Sequence, residues 1–143
     1  MQKIIEVRRD QFIISTDPVR LNVDTIVEFL SRAYWAQGRT RERIERSLAN
    51  SLVFGLYDEE KQIGLARVVT DYAVFAYLCD VFIYETYRAH RLGKWLMQTV
   101  HDHPDLQGLR RWALATRDAH GFYSQFGWKP LANPNGWMEI FSG

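Results

Sequence analysis

Asp80-Val81-Phe82-Ile83-Tyr84-Glu85-Thr86-Tyr87-Arg88-Ala89-His90-Arg91-Leu92-Gly93-Lys94-Trp95-Leu96-Met97 is the stretch that decides the fold. An apolar strand runs into a short basic turn holding one glycine, and a helix opens behind it. Leu92, Trp95, Leu96, Thr99 and Val100 recur as one face of a 3.6-residue period, which predicts a helix over about residues 91–102. Arg88, His90, Arg91 and Lys94 crowd the turn in front of that helix. The first N–H groups of a helix have no partner inside it, and the helix dipole places positive charge behind them. With basic side chains added, the segment reads as an anion site, with phosphate as the first candidate.

The elements before this stretch can be read from capping and periodicity. Residues 1–11 are mixed and charged, and read as a poorly ordered start or an edge strand. Phe12-Ile13-Ile14-Ser15 is a short strand closed by Thr16-Asp17-Pro18. Asn22 stands where it can cap a helix carrying Val23, Ile26, Val27, Leu30 and Tyr34. Thr40 caps a second helix through Ile44, Leu48 and Ala49, whose Arg41, Glu42, Arg43, Glu45 and Arg46 form a solvated face. Residues 51–57 and 62–69 flank Asp58-Glu59-Glu60-Lys61 and predict an antiparallel hairpin, with Thr70-Asp71-Tyr72 as the next turn.

Residues 74–84 are apolar on both alternating faces, as in a strand covered on both sides, with Asp80 sharing the face of Val74, Ala76, Leu78 and Phe82. After the helix, residues 109–115 form another strand candidate. Asp118 is expected to cap a helix bearing Ala119, Phe122, Tyr123 and Phe126, stopped by Gly127. Two closing strands are expected at residues 128–130 and 136–141, around Asn133-Pro134-Asn135-Gly136. This order predicts an α/β fold in three layers: a mixed central sheet of about six to seven strands with helices on both faces, in a single domain over residues 1–143.

Composition narrows the function classes. Hydrophobic residues at 47% and charged residues at 24% are ordinary for a soluble domain with a real core. A formal net charge of +1 argues against a general nucleic-acid binder, so the basic cluster at residues 88–94 points to a small anion. The single cysteine, Cys79, excludes an intrachain disulfide framework and a cysteine-rich metal site, and reads as a buried small hydrophobe. His101-Asp102-His103 has metal-ligand residue types but no further ligands around it, so no metal is expected. With no signal-peptide-like or transmembrane-length run, no membrane partner is expected and cytoplasm is the default location.

Two motifs then carry a family resemblance. Arg88-Ala89-His90-Arg91-Leu92-Gly93 fits the pattern Gln/Arg-x-x-Gly-x-Gly/Ala at Arg88 and Gly93, with Arg91 in place of the first glycine. Downstream stand Ala119, Tyr123 and Phe126-Gly127-Trp128, preceded by Thr116 where an asparagine is usual. In this order and at this separation, within an element order covering roughly residues 12–141, the chain resembles the GNAT family of acetyl-CoA-dependent N-acetyltransferases. Arg91 then either bends the loop differently or adds a phosphate contact.

The resemblance implies acetyl-CoA as co-substrate and an amine acceptor that attacks the thioester directly. It implies that backbone groups of Val81, Phe82 and Ile83 pair with the pantetheine, and that the N–H of Val81 or Phe82 polarises the thioester carbonyl. The run Arg88, Ala89, His90, Arg91, Leu92, Gly93 and Lys94 would hold the pyrophosphate, with Thr116, Ala119, Tyr123 and Phe126 completing the cofactor site. Tyr123 would donate to the departing sulfur. A tyrosine near ~10 and a thiol near ~8.5 make full proton transfer uphill by roughly 2 kcal/mol, so its role is hydrogen-bond donation.

Asp80 and Asp71 are the candidate bases for the amine's proton. Asp80 has the alternative of an arginine partner or a loop cap, and Asp71 that of turn chemistry. His120 beside the Tyr123 helix reads as a surface or cap residue. Tyr34 and Trp35 either belong to the core or line the acceptor pocket. Asp71, Asp80 and Glu85 lean towards a cationic amine, which Tyr34, Trp35, Tyr72 and Tyr77 would suit through cation–π contacts. The acceptor stays open between a small amine, an aminoglycoside-like or amino-acid-derived compound and a protein amine, and a homodimer stays open too. The alternative function is a non-catalytic acyl-CoA-binding module on the same fold, against which Tyr123 speaks.

Overall fold

The chain is described over residues 3–143 by a computed structural model, and Met1 and Gln2 lie outside that range. It opens as a hairpin of β1 (Glu6–Arg9) and β2 (Phe12–Ser15), so the charged start forms an edge strand. Helix α1 (Val23–Arg32) begins where the Asn22 side chain accepts the Thr25 N–H at 3.0 Å. Tyr34 lies past its end, in a 3₁₀ turn spanning Tyr34–Ala36. Helix α2 (Arg41–Ala49) is capped in the same way by Thr40, whose hydroxyl accepts the Arg43 N–H. Strands β3 (Leu52–Asp58), β4 (Lys61–Thr70) and β5 (Phe75–Ile83) form an antiparallel meander. A 3₁₀ turn over Glu85–His90 leads into α3 (Leu92–His101), then β6 (Arg111–Ala113) and the short α4 (His120–Ser124).

The six strands lie in sequence order, antiparallel throughout except for the parallel pair β5–β6. One face carries Ile26 and Leu30 of α1 and Ile44 and Leu48 of α2, packed on Val53, Leu65 and Phe82. The other carries Leu92, Leu96, Met97 and Val100 of α3, packed on Phe54, Leu56, Ala66, Val68 and Leu78. Each such fully buried aliphatic side chain contributes about 1.5–3 kcal/mol. The three layers expected from the element order are therefore present.

One irregularity shapes the rest of the molecule. Leu65 pairs with Phe82 but Arg67 pairs with Cys79, so β5 carries an extra residue where Asp80 adopts φ 52°. A bulge of this kind breaks the two-residue alternation of a strand. Ala76 and Leu78 consequently face the α3 core, whereas Phe82 faces α1 and α2. Asp80 reaches Trp35 and Arg39 beside those two helices. The expectation that Asp80 shares a face with Ala76 and Leu78 is overturned by that one left-handed residue.

The C-terminal third departs from the expectations in three further places. Strand β6 has only three residues, because residues 114–116 leave the sheet after Ala113. Helix α4 is not capped by Asp118. Ala119 occupies the cap position and its N–H is bonded by the Thr116 hydroxyl at 3.1 Å. The closing strands at 128–130 and 136–141 do not form. Pro130 and Pro134 supply no N–H, the expected bend appears as a 3₁₀ turn at Pro134–Gly136, and Met138 and Ile140 beyond it are 96% and 98% exposed.

Candidate active site

Strand β6 pairs with β5 only through Phe75↔Arg111, Ala76↔Trp112 and Tyr77↔Ala113. Past that point the strands diverge, leaving the Leu78–Ile83 side of β5 without a strand neighbour. An open cleft of about 1230 Å³ fills the gap. Its walls are the α1 end with Tyr34 and Trp35, the β5 residues from Tyr77 to Phe82, and residues 114–119 with Tyr123. Arg88 and Glu85 stand at the end where β5 runs towards α3.

Backbone direction along β5 follows from its contacts with β4. The Tyr84 N–H donates to Ile63 O at 2.8 Å, and a Cβ built on Gly64 would stand 2.8 Å from the Phe82 carbonyl oxygen. Phe82 and Tyr84 therefore direct their backbone groups at β4. By alternation, Val81 and Ile83 direct theirs towards the cleft. The Arg88 Nε bond to Ile83 O at 3.3 Å agrees with that direction. Of the two N–H groups considered for polarising a carbonyl, that of Val81 is the one turned towards the cleft.

Arg91 sits at φ 56°, ψ 26° immediately before α3. This is the left-handed conformation a glycine would take, so the turn keeps its shape with arginine in it. No side chain caps α3, and its first turn holds no acidic residue. A Cβ added at Gly93 would stand 3.4 Å from the Phe122 ring of α4, an ordinary van der Waals distance. Arg88, Thr116, Ala119, Tyr123, Val81 and Phe82 line the cleft. Ile83, Ala89, His90, Arg91, Leu92, Gly93, Lys94 and Phe126 do not line it. Leu92 is a core side chain, His90 packs on Phe12 and Phe126 packs on Phe122, so any contact from Leu92 runs through backbone.

Tyr123 is partly buried, and burial pushes its phenol up to about 12, with Tyr34 adding to the effect. Its hydroxyl has no hydrogen-bond partner among the described residues, so a donor is left facing the cleft. Across from it, the Tyr34 hydroxyl accepts the Arg117 N–H at 3.1 Å, and the Arg117 guanidinium lies 3.7 Å from the Tyr34 ring centroid. Tyr34 and Trp35 are thus lining residues rather than core.

Asp80 and Asp71 are corrected by their surroundings. The buried Asp80 carboxylate accepts the Trp35 indole N–H at 2.8 Å on one oxygen. Its other oxygen accepts Arg39 Nη1 at 2.8 Å and Arg67 Nε at 2.9 Å. A carboxylate bonded by two guanidiniums and an indole is an ion-pair hub, the arginine-partner alternative for Asp80. Asp71 lies outside the cleft, where one oxygen accepts the N–H groups of Ala73, Val74 and Phe75. Those bonds lower its pKa, which makes it a turn-holding anion and a weak base.

Of the three acids behind the lean towards a cationic acceptor, Glu85 and the ion-paired Asp80 line the cleft and Asp71 does not. The lining holds Arg32, Arg39, Arg67, Arg88 and Arg117 against Asp80, Glu85 and Asp118. Arg39, Arg67 and Arg117 were not anticipated. Only Arg67 left a trace in the sequence, as a charge within the apolar run of residues 63–69. Cys79 also lines the cleft, but burial pushes its thiol up to about 11 and keeps it unreactive.

His101 and His103 belong to packing. His101 Nε2 accepts the Trp128 indole N–H at 3.1 Å, and His103 Nδ1 accepts the Asp105 N–H at 3.0 Å. No cluster of three or more His, Cys, Asp or Glu side chains able to hold a metal occurs among the described residues. No helix among them is long and apolar enough to cross a membrane.

The acetyltransferase (GNAT) domain family model matches residues 49–130, more than half of the chain, across β3 to Pro130. The chain belongs to the GNAT acetyltransferase family. Among GNAT relatives, a protein of Gibberella zeae provisionally named an acetyltransferase is 33% identical over 156 residues, spanning 92% of this chain and 87% of its own length. A crystal structure from Xanthomonas campestris pv. campestris, of a protein provisionally assigned as a GNAT acetyltransferase, superposes with a TM-score of 0.89 at 42% identity, covering 91% of this chain and 92% of that one. A Clostridium acetobutylicum structure, of a protein provisionally assigned as an acetyltransferase and solved with acetyl-CoA, shares the fold at a TM-score of 0.64 and 11% identity, covering 91% of this chain and 94% of that one.

Proposed function

We propose that this protein transfers the acetyl group of acetyl-CoA to an amine by direct attack on the thioester. The observation that carries the reading is the open side of β5. It presents the Val81 backbone to a cleft lined also by Tyr123, whose hydroxyl has no partner among the described residues, with Arg88 at its end. An extended pantetheine arm can pair with that edge as an added strand would. Arg88 and the uncapped first turn of α3 suit a pyrophosphate, with Arg91 serving through its backbone conformation.

In this reading the acceptor enters as the neutral amine, and its nitrogen attacks the thioester carbonyl carbon. The Val81 N–H stabilises the oxyanion, the C–N bond forms and the C–S bond breaks. The proton lost by nitrogen ends on the coenzyme A sulfur. Tyr123 assists by donating a hydrogen bond to the sulfur as negative charge develops there. Full transfer from a phenol at about 12 to a thiolate near ~8.5 would be uphill by roughly 5 kcal/mol, so the phenol stays protonated. Asp80 acts at one remove, fixing Trp35, Arg39 and Arg67 in the cleft wall. An ammonium acceptor first loses its proton to water, which reaches the open cleft.

The test has two stages. Calorimetry with acetyl-CoA is expected to give saturable binding, and absence of binding by folded protein removes the reading. Thiol release is then measured across a panel of amines for the wild type and Tyr123→Phe. The variant is expected to bind acetyl-CoA normally and turn over at least ~10-fold more slowly. Binding without thiol release on any amine would favour the non-catalytic acyl-CoA-binding alternative.

A further inference from the structure

Two guanidiniums share one buried carboxylate in the cleft wall. Arg39 and Arg67 both line the cleft and both end on the same Asp80 oxygen, while the only other partner of the Arg67 guanidinium among the described residues is the Ser51 hydroxyl at 3.0 Å. Two positive charges against one negative leave a surplus of one at this point. A surplus charge held partly out of water is unfavourable until an anion meets it. Arg39 uses one of its N–H groups on Asp80, and Arg67 Nη2 has no partner among the described residues. Unspent donors therefore remain in a planar fork whose spacing matches a carboxylate.

The position of the pair separates it from the anion site next to α3. Along β5, Asp80 precedes Val81 and Arg88 follows it, so the two basic sites lie on opposite sides of the Val81 N–H. Arg39 is delivered by the loop after the Tyr34–Ala36 turn. Its N–H bonds Ala36 O at 3.1 Å, and Gly38 at φ 76° makes the bend. Trp35 is tied to the same carboxylate through its indole. The far wall thus consists of an aromatic ring and two arginines arranged around one ion pair.

We propose that Arg39 and Arg67 form an anion subsite at the acceptor end of the cleft, and that the acceptor amine carries a carboxylate. This rests on the acetyltransferase reading above and narrows its substrate class. A monoanion matches the single surplus charge, and the aliphatic or aromatic body of an amino acid would lie against Trp35.

The experiment compares amino acids with their own amides as acceptors, following thiol release at saturating acetyl-CoA. The amide amine is the more readily deprotonated of each pair, so intrinsic reactivity opposes the expected preference. Wild-type protein is expected to favour the acid by about tenfold or more in kcat/KM, through KM. Arg39→Gln is expected to bring that ratio close to one, and Arg39→Lys to keep part of it, with circular dichroism and acetyl-CoA affinity reporting that each variant is folded. Equal use of acid and amide by the wild type overturns the subsite and leaves the acetyltransferase reading standing. An unchanged ratio in folded Arg39→Gln overturns it as well and returns Arg39 to a purely structural role. Phosphoethanolamine outcompeting every amino acid overturns the carboxylate assignment in favour of a phosphate. Turnover of no amine at all, with acetyl-CoA bound, removes the acetyltransferase reading and this inference with it.

Discussion

Arg67 Nε donates to the Asp80 carboxylate at 2.9 Å across a bulge whose central residue is Asp80 itself, at φ 52°. The charge pair and the backbone irregularity therefore depend on each other. Removing the carboxylate leaves two partly buried guanidiniums and the Trp35 indole without their shared acceptor. Asp80→Ala is expected to lower the unfolding free energy by about 3 kcal/mol, read from the urea midpoint. A variant as stable as the wild type but slow in turnover would instead restore Asp80 to the role of base.

Arg91 holds a left-handed backbone that costs a non-glycine residue roughly 1–2 kcal/mol locally. Arg91→Gly relieves that strain while adding freedom to the unfolded chain, so a net gain of up to about 1 kcal/mol is expected. If the arginine contributes only its conformation, acetyl-CoA affinity stays within about twofold of wild type. A tenfold loss in calorimetry would show that its guanidinium binds phosphate.

His101 and His103 are both held below the ordinary histidine value, chiefly by burial. A histidine depressed in the folded state binds fewer protons there than in the unfolded chain. Its stabilising effect is complete above the unfolded value near ~6.5 and is lost as pH falls through the lower folded value. Thermal midpoints are expected to drop between pH 7.5 and pH 5. His101→Gln together with His103→Gln should flatten that slope, and an unchanged slope would assign the pH dependence elsewhere.

Tyr123 stays protonated well into alkaline pH because burial pushes it to about 12. The rate of acetyl transfer should therefore rise with pH as the amine loses its proton, with no descending limb from Tyr123 below about pH 10. A bell-shaped profile falling near pH 8, and absent in Tyr123→Phe, would mean that the phenol is far more acidic than its surroundings allow.

Much of this molecule is local chemistry, and local chemistry can be read from order and spacing. Asn22 and Thr40 cap the helices that follow them, because a side-chain oxygen three residues ahead of an orphan N–H can reach it within one turn of chain. The hairpin around residues 58–61 and the helix behind Gly93 follow equally from turn residues and periodicity. Tyr123 and Arg88 were picked out by motif, and both line the cleft. Asp80 was noticed as a charge in an apolar strand, but the face assigned to it was wrong. Strict alternation has no means of registering one extra residue.

Capping residues, turn residues and hydrophobic periodicity set the element order and the strand–turn–helix at its centre, because each acts between residues close along the chain, and the motifs within that order pointed to the family. Tertiary structure alone decided how that framework is used. The early divergence of β6 from β5 opens the cleft, and the contacts of β5 with β4 turn the Val81 backbone towards it. Trp35, Arg39 and Arg67 gather around Asp80 from segments 13 to 45 residues away. A charge surplus of that kind exists only once distant residues are packed together, because it depends on which partners share one buried carboxylate.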